Sequence, residues 1–423
     1  MKKILLFALA AFLIVAYATP VMAKVHVGGI VFVDAMYIKN DEHFQRNTAA
    51  FNNAVNSVDA SRSWFTIDVP DITRLYGKWV NDAGDVGMHI EIGLRGEEGG
   101  GEAVNCRYAY GWWQINPMFK LTVGQQNEVI GPYAPSQMLG MRGKLGAGNA
   151  AVAGLDNTML HVIGYGFGNI GNDRKEGIRL DTKLGEKSNL AIAIFNPNVN
   201  AGIGSWATRD EEEVLPRVDI TYSASLGSFS LAPGFSWQKV QYEWDPQSPN
   251  LANDFTDFDI WVWSLPVKFA PGGPISVSAE INWGENVGNG SYTTGIYAGG
   301  PTNVAQFDNP VLNGVATTVV ADTEFLGFWA DLAWKAHPIA TIHLIYGMQE
   351  VKNDDRLAQA NRWDNTRVMY GVSVPIAVAK TFIIRPELFF YDYGEFEQNG
   401  IVDPANGDLG SQTIVGVQFQ IVF

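Results

Sequence analysis

The chain has 423 residues, with 44 Asp and Glu against 29 Lys and Arg, for a formal net charge of −15. That acidic balance argues against a nucleic-acid partner, and the lone Cys106 excludes an intrachain disulfide framework. Apolar content is ordinary, while 45 glycines and 12% aromatics fit a β-rich chain with many turns, soluble or barrel-shaped.

Lys2 and Lys3 precede an apolar run from Ile4 to Tyr17, and Val21-Met22-Ala23 offers a small-x-small cleavage site. This pattern predicts a secretory signal peptide over residues 1–23 and a mature chain over 24–423. Lys24, not a cysteine, follows the site, so a lipoprotein anchor is not expected. No later stretch has the roughly 18 apolar residues of a spanning helix.

The first predicted strand runs from Val25 to Ile38, followed by a polar, Asn-rich loop over 39–63. A rhythm of strand, tight turn, strand and long loop then sets in. Ile72–Val80 turns through 81–85 into Val86–Gly96. There Val86, Met88, Ile90, Ile92 and Leu94 alternate with Gly87, His89, Glu91, Gly93 and Arg95. Cys106–Ile115 turns at 116–118 into Phe119–Gln126, and a long irregular segment fills 127–175. Within it Met159–Phe167 has some strand character, but a seventeenth strand would put the chain ends on opposite sides, so it is assigned to the loop.

Five more hairpins follow. Gly177–Leu184 leads to Asn189–Phe195, Val214–Ala224 to Phe229–Val240, and Phe258–Phe269 to Ile275–Gly284. Phe325–Ala336 then leads to Thr341–Gln349, and Arg367–Ile376 to Thr381–Tyr393. The last stretch, Thr413 to Phe423, has Thr413, Val415, Val417, Phe419, Ile421 and Phe423 on one face. An apolar face with no cover suits lipid, and the opposite face suits a wet lumen.

Seven hairpins plus the two end strands give about sixteen strands. Short turns collect at one end and long loops at the other. The prediction is an all-β transmembrane antiparallel barrel with short periplasmic turns and long extracellular loops. Tyr37, Trp237, Trp283 and Trp334 fall on outward faces as girdle aromatics. Phe32, Trp329 and Phe389 fall inward, scattered rather than aligned as a slide for sugars.

Certain residues carry a resemblance. They are Val33-Asp34-Ala35, Arg107-Tyr108-Ala109-Tyr110-Gly111, Leu121-Thr122-Val123-Gly124-Gln125 before the long loop, Arg385-Pro386-Glu387-Leu388, and the terminal Phe423. In this order and spacing the chain resembles the Gram-negative outer-membrane general diffusion porin family. The resemblance implies a homotrimer of sixteen-stranded barrels whose third loop, here 127–175, folds into the lumen as a constriction. It also implies loop acids facing a row of arginines and lysines. The Pro-Glu-Phe-Gly-Gly element of that loop is missing here.

Read from the residues, Arg74, Arg107 and Arg179 point inward, at about mid-barrel by the usual rise and tilt of membrane strands. Lys78, Arg95, Lys183 and Arg217 extend the basic wall. Glu128 and Asp156 are the candidate loop acids, with Arg142 and Lys144 nearby. Arg179-x-Asp181-x-Lys183 and Arg385-x-Glu387 could equally be structural ion pairs along a strand face. Loop acids such as Asp210–Glu213 are candidates for divalent cations or for plain solvation.

The function expected is a water-filled pore for passive diffusion of ions and small hydrophilic solutes, set in outer-membrane lipid and lipopolysaccharide. The alternative is a substrate-specific porin for anions such as phosphate or carboxylates. No cofactor is expected, and no enzyme: the six histidines show no metal spacing and no Ser/His/Asp arrangement.

Overall fold

Period-two alternation needs a ladder partner on both sides of every strand, and a membrane allows no unpaired edge. The computed structural model meets both demands. It describes residues 24–43, 61–70, 72–95, 103–136, 139, 167–170, 174–197, 210–212, 215–243, 255–288, 306–308, 311–312, 315–316, 319–354, 363–398, 401–402 and 408–423. The proposed signal peptide lies outside these.

Among the described residues, sixteen antiparallel strands close a barrel. The first six are β1 (Lys24–Asn40), β2 (Arg62–Asp68 with Arg74–Val80), β3 (Val86–Arg95), β4 (Ala103–Gln114), β5 (Phe119–Asn127) and β6 (Arg174–Lys183). Next come β7 (Ser188–Phe195), β8 (Asp210–Glu212 with Arg217–Leu226), β9 (Phe229–Leu231 with Gly234–Glu243), β10 (Phe255–Phe269) and β11 (Ile275–Glu285). The last five are β12 (Glu324–His337), β13 (Ala340–Asn353), β14 (Trp363–Ser373 with Ile376–Ala379), β15 (Phe382–Asp392 with Phe396–Gln398) and β16 (Ser411–Val422). Tight turns join the seven hairpins; in the last of them Ile376–Ala379 is strand and the turn falls at Lys380 and Thr381.

β1 pairs with β2 on one side and with β16 on the other, from Ile30↔Val422 to Asn40↔Gln412. Phe423 continues that ladder: its N–H donates to Gly29 O at 3.1 Å, and its carbonyl accepts from Gly29 N at 3.0 Å. The break in β2 is patched from its own sequence. Phe32 N donates to Thr73 Oγ1 at 3.0 Å, and that hydroxyl donates to Phe32 O at 3.2 Å.

The outside is apolar. Val27, Ile178, Trp263, Trp283, Trp334, Leu344 and Tyr370 are all exposed. Tyr37, Trp283 and Trp334 stand on this outer face, and the half-exposed Trp237 points its Nε1 at Asp259 Oδ1, 3.1 Å away.

Candidate functional site

The inner face divides into two walls. From β7 around to β16 and β1 it is covered by the long loop after β5, of which 128–136, 139 and 167–170 are described. The outgoing pass starts at Val129, whose carbonyl accepts from Thr221 Oγ1 of β8 at 2.9 Å. Further on, Ser136 N donates to Asp331 Oδ2 of β12 at 2.8 Å, and Leu139 N donates to Glu387 Oε2 of β15 at 2.7 Å. The returning pass places the Gly168 carbonyl 2.7 Å from Asn282 Nδ2 of β11. Two inward glycines pave its path. A Cβ on Gly327 would come 2.7 Å from Gly168 O, and one on Gly347 would come 2.5 Å from Phe167 O. The backbone of the loop therefore rests directly on the backbone of β12 and β13.

Loop and wall share apolar cores. Leu139 and Phe167 pack with Met36, Ile345, Met369, Phe389 and Tyr391, while Ile130 and Ile170 pack with Val240, Ile260, Val262 and Phe325. The inward aromatics Phe32, Trp329 and Phe389 are buried, so they do not reach the water path.

The wall of β2 to β6 is only partly covered: Glu91, Arg107, Gln126 and Lys175 are buried, whereas Arg74 and Arg179 stay partly open to water. Glu91 of β3 gathers three basic side chains: Arg107 Nε at 2.6 Å, Arg74 Nε at 3.5 Å and His89 Nε2 at 3.8 Å. Arg107 reaches that carboxylate through a β-bulge. Glu91 opposes Tyr108 whereas Ile92 opposes Cys106, so Arg107 is the extra residue between them.

The bulge shifts the phase of β4 and turns Tyr108, Tyr110 and Trp112 inward, opposite Glu91, His89 and Gly87. They join a ladder of rings. Tyr76 stacks on His89 at 6.1 Å, His89 on Tyr110 at 5.5 Å, and Tyr110 meets Trp112 at 6.1 Å between centroids. Trp112 covers Gly87, where any Cβ would collide with its six-membered ring. Lys78 and Lys120 place their ammonium groups 5.3 and 5.5 Å from the same indole.

On β6, Arg179 grips Asp181 with two bonds, Nε to Oδ2 at 2.9 Å and Nη2 to Oδ1 at 2.7 Å. Asn189 Nδ2 donates to the same carboxylate at 3.2 Å. A cavity of about 770 Å³ runs along this wall, with His89, Tyr110, Lys120, Arg179 and Asp181 on one side and Tyr133 of the loop among its other lining residues.

The predicted site residues thus separate. Arg74, Lys78, Arg179 and Lys183 lie on the open wall, and Arg107 lies on the same wall but buried against Glu91. Arg217 is also inward, but it is completely buried in an ion pair with Glu128 and bonded through Nε to Asp219 Oδ1 at 2.8 Å. These two residues were expected on opposite sides of a constriction. Instead they meet each other beneath the start of the loop, because the loop turns back against β8 as soon as it leaves β5. Arg95 ends β3, but its side chain lies outside the described residues, as do Asp156, Arg142, Lys144 and most of the Met159–Phe167 stretch. The aromatic ladder was missed in the sequence.

Known structures share this architecture. The outer membrane channel DcaP of Acinetobacter baumannii superposes with a TM-score of 0.65 at 16% identity, over 96% of this chain and 99% of that one. The fold is that of a porin. An anion-selective porin from Comamonas acidovorans superposes with a TM-score of 0.55 at 13% identity, over 95% and 100% of the two chains. OmpT, expressed in the outer membrane of Vibrio cholerae, gives 0.51 at 10% identity over 96% and 99%. No protein-family model matches the sequence, and no curated protein matches it. At such identities the likeness extends to the porin fold, and the solute must be argued from the lumen.

Proposed function

We propose that this chain is an outer-membrane channel for passive diffusion of ions and small hydrophilic solutes, with a preference for anions. The observation that carries the reading is the charge of the open wall. Lys78, Lys120, Arg179, Lys183 and Lys187 stand against Asp181 and Glu186, and Arg74 together with the buried Arg107 exceeds Glu91 by one charge. A narrow wet lumen with low-dielectric walls focuses that field on passing ions. The net negative charge of the whole chain does not oppose this, since many of its acids belong to the loops between strands.

On this reading the apolar exterior faces lipid, and the short-turn rim faces the periplasm after residues 1–23 are removed on export. The long-loop rim meets lipopolysaccharide, and three copies assemble, as the resemblance to general diffusion porins implies. A channel selective for particular anions, such as phosphate or carboxylates, is the second reading; the aromatic rungs beside the cations favour it.

The test is the reversal potential of the purified protein in a planar bilayer under a tenfold KCl gradient. It should carry the sign of anion preference. Lys78→Ala, Lys120→Ala and Lys183→Ala combined should move it toward cations. The shift should grow at low salt, where screening extends beyond about 8 Å. A cation-selective wild type, or no conductance at all, would overturn the proposal.

A further inference from the structure

We infer that the open wall is a binding track for anionic pyranoses, six-membered sugar rings carrying one carboxylate or phosphate; this inference rests on the channel reading above. Three features carry it, each independent of net charge. First, Tyr108, Tyr110 and Trp112 succeed one another every second residue on one strand, so a rung recurs about every 7 Å along the lumen. Tyr76 and His89 widen the track across β2 and β3. Aromatic faces carry negative quadrupole charge, and the C–H bonds on the face of a pyranose present the matching positive edge.

Second, cations stand beside the rungs. Lys78 and Lys120 flank Trp112 at the end of the ladder, and Lys120 and Arg179 line the cavity beside Tyr108 and Tyr110. Among the described residues neither lysine forms an ion pair. Their charges are available to an anionic substituent on a ring stacked at Trp112 or Tyr110.

Third, the cavity holds groups that pair with hydroxyls. Asn127, Asp181, Asn189 and Ser223 line it together with His89, Tyr108 and Tyr110. A flat aromatic acid would displace water from these groups and give nothing back, leaving polar groups unpaired. A sugar acid supplies hydroxyl donors and acceptors in their place. That difference separates sugar acids from aromatic acids that stack equally well. The cavity, about 770 Å³, is large enough for one such ring with water beside it.

The experiment is single-channel recording in a planar bilayer with glucuronate, glucose, acetate and benzoate as probes. Glucuronate should block the current at concentrations about tenfold lower than any of the other three. Trp112→Ala and Lys120→Ala should each weaken that block about tenfold, and Trp112→Phe should retain most of it. Trp334→Ala, on the outer face, should leave the block unchanged. If Trp112→Ala does not migrate as a folded barrel on a gel, Tyr110→Ala serves as the reading instead. A glucuronate block no stronger than that of glucose and acetate would overturn the track. So would a stronger block by benzoate, or a block insensitive to both Trp112 and Lys120. These outcomes all require a conducting pore, so they are distinct from failure of the channel reading, which would show as no current or as cation selectivity in the reversal potential.

Discussion

Arg179-x-Asp181 on β6 and Arg217-x-Asp219 on β8 have the same spacing, the same inward orientation and the same side-chain pairing. Arg179 keeps 28% of its side chain in contact with water; Arg217 keeps none. Arg217 also meets Glu128 at the start of the loop and Ser236 of β9. The loop seals β8 but leaves Arg179 of β6 open to the cavity, so one ion pair can act on a passing solute and the other cannot. Inward orientation is a property of strand alternation, whereas access to water depends on what lies over the strand. The covered wall accordingly carries Trp329, Ile345, Met369 and Phe389, which would be poor lumen residues without their cover.

The comparison is broken most strongly by removing each arginine in turn. Arg217→Ala leaves Glu128 and Asp219 buried without their cation, a loss of about 3–5 kcal/mol. The temperature at which the unboiled band shifts on a gel should fall sharply, while the barrels that do fold keep their ion selectivity. Arg179→Ala removes an ion pair open to water, with an expected cost of no more than about 1 kcal/mol. Its melting should be nearly normal and its anion preference weaker. Equal stability losses at the two sites would show that the loop does not seal β8.

Seating of the loop is the next target. Gly327→Leu with Gly347→Leu puts side chains where Gly168 O and Phe167 O now rest. Overpacking costs about 1–3 kcal/mol per site, and relief requires the returning pass to move off the wall. It can move only toward the open wall, so single-channel conductance should fall. An unchanged conductance in a folded variant would mean that this pass does not border the water path.

The barrel itself was legible because its signals are local. Each tight turn is marked within a few residues, as at 81–85 and 270–274, and the closing strand reads cleanly from Thr413 to Phe423. The site was only partly legible, for two physical reasons. Strict alternation puts Arg107 inward and therefore Tyr108 and Tyr110 outward, whereas the bulge brings all three inside. The Tyr-x-Tyr-x-Trp run from 108 to 112, facing only Ala109 and Gly111, was the available hint of that phase shift. The burial of Arg217 and Glu128 had no comparable hint. It arises from contact between a loop and a strand about ninety positions apart, as the bond from Thr221 to Val129 illustrates. On β10 the same cover hides the phase, since Ile260 and Val262 point inward while Asp257 and Asp259 point outward.

The smallest effect is expected from Asp181→Asn, and its sign is informative. Asp181 neutralises Arg179 through two hydrogen bonds. The amide keeps one acceptor oxygen for the guanidinium but loses the charge, so the open wall gains one net positive charge without losing a side chain. The pair is partly open to water, so stability should change by less than about 1 kcal/mol. Anion preference should rise, opposite in direction to the lysine-to-alanine variants at the same wall. Because the Debye length is about 3 Å at 1 M salt and about 10 Å at 0.1 M, the rise should nearly vanish in the concentrated solution and reappear on dilution. Reversal potentials at the two salt concentrations measure it directly. A shift toward cations, or a shift of equal size at both concentrations, would place Asp181 away from the path that ions follow.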